Sequence, residues 1–115
     1  MKQTFEHLLR ELRRAKGISQ RELAKQVSVD FSYISKLEND RLPPPAADTI
    51  VKICEVLNVQ PDKLLSITKK MPSHIKDLVS STPKALEFLR NAHSLKLTED
   101  EWDKMSKQLK HLRDS

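Results

Sequence analysis

An all-α fold is what this 115-residue sequence predicts, and three observations carry that prediction. Glycine occurs once, which leaves little material for tight strand turns. Apolar residues recur at i, i+3, i+4 and i+7 through successive segments, the spacing of a buried helical stripe rather than the alternation of a strand. Hydroxyl, carboxylate and proline residues begin several of those segments, and residues that tolerate a left-handed backbone end them.

In the first segment Phe5, Leu8, Leu9, Leu12 and Ala15 form one stripe, with Thr4 placed as N-cap and the single glycine, Gly17, where a helix end needs positive φ. Next, SQRE matches S-x-x-E, so Ser19 and Glu22 are expected to cap one another and start a helix at Gln20 whose inner face is Leu23, Ala24 and Val27. After the turn SVD, Asp30 is placed as N-cap for a third helix, FSYISKLEN, with Ile34 and Leu37 inward.

The stretch RLPPPAAD reads as a proline-stiffened loop. A fourth helix carries Ile50, Ile53, Cys54 and Leu57 and ends at Asn58, and Pro61, taken as the first helical residue, opens a short fifth helix with Leu64 and Leu65 inward. A polar linker spans 68–72. Beyond it, Ile75, Leu78 and Val79 mark a short helix, Thr82 with Pro83 begins another, and Thr98 with Glu101 forms a capping box for a last helix carrying Trp102, Met105, Leu109 and Leu112. The expected organisation is therefore residues 1–67, a linker at 68–72, and a C-terminal helical region over 73–115.

Composition restricts the function. A chain of this length forms one ordinary domain, or a small domain with a helical appendage, and leaves no room for a large catalytic cleft. Its net charge of +5 favours a polyanionic partner, yet residues 1–66 hold 11 cations against 9 anions and residues 67–115 hold 10 against 7, so neither half is a basic tail. Cys54 is the single cysteine, which excludes an internal disulfide and suits a reducing cytoplasm. No run is apolar enough to span a membrane, and the N-terminal residues lack the apolar centre of a signal peptide. His7, His74, His93, His111 and Cys54 are scattered and no glycine-rich phosphate loop exists, so neither enzyme activity, a metal nor a cofactor is expected.

One way for a helix to enter the major groove of DNA is for a second helix to cross behind it, hold it out from the body and offer its own N-terminus to phosphate. Helices two and three, joined by SVD, have the lengths and inner residues for that arrangement. Over residues 5–66 the chain resembles the helix-turn-helix domain of the phage Cro and C1 repressors, the XRE family, through LRELRRAKGISQRELAKQV, SYISKLEN and DTIVKICEVLNVQPDKLL.

That resemblance implies a five-helix lambda-repressor-like domain that binds double-stranded DNA. It implies that Gln20, with Arg21 beside it, anchors phosphate, and that Phe31, Ser32, Ser35 and Lys36 face base edges or the adjoining backbone. Phe31 is expected either to touch a thymine methyl or to fold back into the protein. Tyr33 packs beside the helix and can offer its hydroxyl to phosphate, Asn39 and Arg41 clamp backbone beyond the helix, and Arg13 and Glu38 form a structural ion pair. Ser28 and Asp40 stand where the family usually has glycine, which places a backbone cost on both turns.

A single helix-turn-helix makes few contacts, and a two-fold dimer doubles them. Phe88, Leu89, Trp102, Met105, Leu109 and Leu112 are more apolar surface than a helical hairpin buries alone, so the C-terminal region is expected to form a homodimer. Two alternatives stand: packing onto the fifth helix, or holding a different protein, as an antitoxin or anti-repressor does while its N-terminal domain regulates its own operon. The tail is similar to the C-terminal helices of small two-domain repressors. The expectation is a cytoplasmic, sequence-specific transcriptional regulator, a dimeric repressor on an inverted-repeat operator read in the major groove by helix 30–39.

Overall fold

The computed structural model describes residues 3–114, which form helices and connecting turns with no strand among them. The helices are α1 (Phe5–Ala15), α2 (Gln20–Val27), α3 (Phe31–Glu38), α4 (Ala47–Leu57), α5 (Asp62–Thr68), α6 (Ser73–Ser81), α7 (Pro83–Leu95) and α8 (Glu99–Leu109). They divide into two compact units, one ending at Lys76 and the other beginning at Asp77, so the boundary falls inside α6.

The first unit has one hydrophobic core, because each of its first five helices turns an apolar stripe inward. Leu9, Leu23, Ile34, Leu37, Ile50, Ile53, Leu57 and Leu64 are fully buried, and Phe5, Leu8, Ala24, Val27, Cys54 and Leu65 complete the cluster. Helix α2 packs on α3 and α4, and α1 packs on α3 and α5. Burial pushes the Cys54 thiol up to about 11, so it stays protonated and behaves as a small apolar core residue.

Local signals set most of the boundaries. The Ser19 hydroxyl accepts from the Glu22 amide at 3.0 Å, but the reciprocal half of the expected box is absent: Glu22 Oε1 accepts from Gln26 Nε2 at 2.8 Å. Residues at i and i+4 face one another on a helix, and that neighbour takes the carboxylate. Thr98 and Glu101 do form both halves, at 3.2 and 3.0 Å. Pro83 is the first residue of α7, whereas Pro61 sits one position before α5 as its cap. Gly17 (φ 68°), Ser28 (φ 66°), Asp40 (φ 56°) and Asn58 (φ 55°) all adopt the left-handed conformation, so Ser28 and Asp40 carry the strain that glycine would avoid.

Glu38, 0% exposed, ends α3 inside the unit. Arg13 of α1 donates to it through Nε to Oε2 at 2.6 Å and Nη2 to Oε1 at 2.9 Å, a two-pronged pairing, while Arg13 Nη1 donates to the Ile18 carbonyl at 2.8 Å. Gln20 Nε2 adds a third bond to Oε1 at 3.0 Å, and Arg10 donates to the Glu38 backbone carbonyl. A carboxylate withdrawn from water needs such partners, and these fasten α3 to both α1 and α2.

The segment after α5 is tied down rather than loose. Lys70 Nζ donates to the Pro44 and Pro45 carbonyls at 3.3 and 2.8 Å, which the donor-free prolines leave available. The Ser73 amide and hydroxyl donate to the Asp48 carboxylate at 3.0 and 2.7 Å. These bonds explain why the first unit continues past the expected linker to Lys76. In the second unit, α7 and α8 bury Ala92 and leave most of their larger apolar residues exposed, and Leu112 lies in the turn beyond α8 rather than on its stripe.

Glu38→Ala is expected to lower stability by about 3 kcal/mol, because it leaves the Arg13 guanidinium without its counter-charge in a dry site; a urea titration that moved by less than about 1 kcal/mol would show the cluster to be dispensable. The Ser73 bonds hold the Asp48 carboxyl below its ordinary value of 3.8. A carboxyl lowered by folding stabilises the folded form above its unfolded value and loses that contribution as pH falls through the folded one. The Ser73 amide resonance is therefore expected to titrate with a midpoint below 3.8, and a midpoint above it would contradict the bond.

Candidate nucleic-acid interface

Two helix starts and one helix flank make the candidate surface. At the beginning of α2, Ser19 satisfies the Glu22 amide, while the Gln20 and Arg21 amides have no acceptor among the described residues. Free amides at a helix N-terminus attract an anion. The Gln20 side chain leans inward to Glu38, yet its NH2 group has a second proton, and the residue remains half-exposed.

Helix α3 can turn a flank outward because its fully buried residues, Ile34, Leu37 and Glu38, lie on its inner side. Ser32 and Lys36 are exposed, and Ser35 is half-buried. Asn39 caps the helix, its Nδ2 donating to the Ser35 carbonyl at 2.8 Å and to the Ser35 hydroxyl at 3.4 Å, so this amide and hydroxyl are already engaged with one another. The Arg41 amide returns to the Lys36 carbonyl at 2.9 Å across Asp40, which leaves the Arg41 side chain exposed just past the helix.

Phe31 is the first residue of α3 and is 38% exposed; its ring does not enter the core. The guanidinium carbon of Arg21 lies over it, 4.4 Å from the ring centroid, a cation–π contact bridging the starts of α2 and α3. Tyr33 packs half-buried against the core beside Ser28, Val29, Asp30 and Thr49, and burial raises its phenol above 10.0, so the hydroxyl is a neutral donor at ordinary pH.

Cations at Arg21, Lys36 and Arg41, hydroxyls at Ser32 and Ser35, and free amides on α2 can supply hydrogen-bond donors to phosphate oxygens and base edges. Asp30 and Asp40, exposed at either end of α3, limit how basic the surface is. Among the described residues no group of three His, Cys, Asp or Glu side chains could hold a metal ion, and no helix is long and apolar enough to cross a membrane.

The expected C-terminal contact residues lie in the second unit. Phe88, Trp102, Met105, Leu109 and Leu112 line one groove of about 400 Å³, and Leu89 lies outside that lining. Phe88 is 48% exposed, Trp102 37% and Leu109 67%, so their apolar area faces solvent.

Sequence reasoning did not find the roles of Arg10 or Gln20 around Glu38. Arg10 stands three residues before Arg13 on the same helix face, a signal that could have suggested it. Nothing in the local pattern pairs Arg21 with Phe31.

The helix-turn-helix family model matches residues 9–64, which contain α2, α3 and the turn between them. The chain is 28% identical over 113 residues to the HTH-type transcriptional regulator RghRB of Bacillus subtilis (strain 168), covering 90% of this chain and 81% of that protein. Among solved structures it is similar to the master regulator for biofilm formation SinR in complex with DNA, at 31% identity and a TM-score of 0.51, over 54% of this chain and 98% of that one. The complex of SinR protein with SinI protein shares the fold across 97% of this chain and 100% of that chain, with a TM-score of 0.53 at 22% identity. By its folded core, the geometry of α2 and α3 and these likenesses, the chain belongs to the Cro/C1-type helix-turn-helix family of DNA-binding transcriptional regulators.

Proposed function

We propose that this regulator is a dimeric repressor that reads an inverted-repeat operator through the major groove with α3. The observation that carries the reading is the outward flank of α3: exposed Ser32 and Lys36 stand beside the free amides at the start of α2. Lys36 reaches guanine O6 or N7, and the serine hydroxyls bond to several bases. Gln20, Arg21, Tyr33, Asn39 and Arg41 hold phosphates on either side, and Phe31 lies against a base edge. SinR, similar to this chain over the same unit, has been crystallised with DNA.

One helix-turn-helix makes too few contacts for tight specific binding, so a second copy is needed, with half-sites about 34 Å apart. The second unit, residues 77–115, supplies that contact through Phe88, Leu89, Trp102, Met105, Leu109 and Leu112. On α8, Lys104 pairs with Asp100 and Lys107 with Asp103, at 3.4 and 3.0 Å, so both cations of this helix are engaged within it. Bound over a promoter, the dimer blocks polymerase.

Selection of duplexes from a random pool tests the whole reading, and symmetric half-sites are the expected product. On the selected site, Lys36→Ala is expected to reduce the ratio of operator to random-DNA affinity by about ten-fold, whereas Gln20→Ala lowers both affinities more evenly; an unchanged ratio for Lys36→Ala at matched salt removes that residue from base reading. The double variant Trp102→Glu with Leu109→Glu is expected to sediment as a monomer where the parent is a dimer. A monomeric parent would instead assign the groove to a different protein.

A further inference from the structure

We infer that Arg21 and Phe31 act as one reading unit, in which the guanidinium holds the ring against the 5-methyl group of a pyrimidine in each half-site. The inference rests on the α3 reading above and names the base chemistry that it leaves open. The outward groups of α3 divide by what they can recognise. Ser32, Ser35 and Lys36 carry hydroxyls and an ammonium, which bond to several base edges and discriminate weakly. Phe31 alone on that flank offers carbon, 38% exposed at the first position of the helix.

Among the groups that bases present in the major groove, the pyrimidine 5-methyl is the apolar one. A ring pressed on a polar base edge removes water from donors and acceptors without replacing their bonds, whereas a ring pressed on a methyl buries two apolar surfaces. Phe31 therefore favours thymine, or 5-methylcytosine, over the unmethylated pyrimidines.

Arg21 makes the contact reproducible. Its guanidinium carbon lies 4.4 Å from the ring centroid, so one ring face is already covered and the side chain is held before DNA arrives. The edge of the guanidinium keeps N–H groups free for phosphate, which links ring placement to backbone contact. Arg21 is on this account a positioning residue for Phe31 as well as a phosphate ligand.

The test uses the full chain and the duplex obtained by selection from a random pool. Each thymine of that duplex is replaced singly by deoxyuridine, which deletes only the methyl. One thymine per half-site is expected to be sensitive, with affinity falling about four-fold, the worth of one buried methyl. In the exposed-site variant Phe31→Ala, thymine and deoxyuridine are expected to bind alike. Arg21→Ala is expected to weaken binding to random DNA and also to shrink the thymine-to-deoxyuridine ratio, a change that loss of a phosphate contact alone does not produce. With cytosine at that position, 5-methylation is expected to raise affinity.

A selected site with no sensitive thymine, or a sensitivity that persists in Phe31→Ala, overturns the inference and leaves the regulator reading standing. An unchanged thymine-to-deoxyuridine ratio in Arg21→Ala removes the coupling. Failure to select any site overturns both readings together.

Discussion

Glu38 is an anion withdrawn from water at the end of an eight-residue helix, and residues of α1 and α2 converge on it. The reason lies in what α3 must do. A helix that leaves one flank free for solvent has only a narrow inner stripe, here Ile34 and Leu37, and two apolar side chains fix its rotation poorly. The planar fork of Arg13 meets the carboxylate at a defined angle, which apolar packing does not impose, and so determines which residues of α3 face outward. Such a cluster contributes orientation more than stability, since desolvation of the charges offsets much of their attraction.

Gln20 belongs both to this cluster and to the outer surface. One amide proton goes to Glu38, and the residue begins the helix whose free amides face outward. Anything that displaces Glu38 therefore disturbs the start of α2 together with the end of α3, which makes the two elements of the candidate interface one mechanical piece. Lys70 acts similarly on the loop after α3: by donating to the Pro44 and Pro45 carbonyls it limits the freedom of the chain that follows Arg41.

The second unit obeys a different constraint. Two amphipathic helices of 13 and 11 residues cannot enclose their own apolar stripes, and Ala92 is the residue they bury. The exposed area at Phe88, Trp102 and Leu109 follows from size, because small units have too much surface for their volume.

Helix positions, the αL turns at Gly17 and Asn58, and the Thr98–Glu101 box were legible in the sequence because each depends on residues within about one helical turn of one another. The apolar stripes likewise declared which positions form the core, since helical periodicity and burial are the same geometric fact. Contacts between residues distant along the chain were not legible without a family to compare. Asp48 meeting Ser73, 25 residues apart, and Arg21 covering Phe31 exist only because folding brings separate helices together. Glu22 shows the limit from the other side: its sequence allowed a bond to Ser19 or to Gln26, and only the folded geometry chose between them. The sequence by itself determined the helices, their inner faces and the family. The tertiary structure decided which polar groups are consumed inside and which remain exposed on the surface, because hydrogen-bond partners depend on distances that the chain order does not specify.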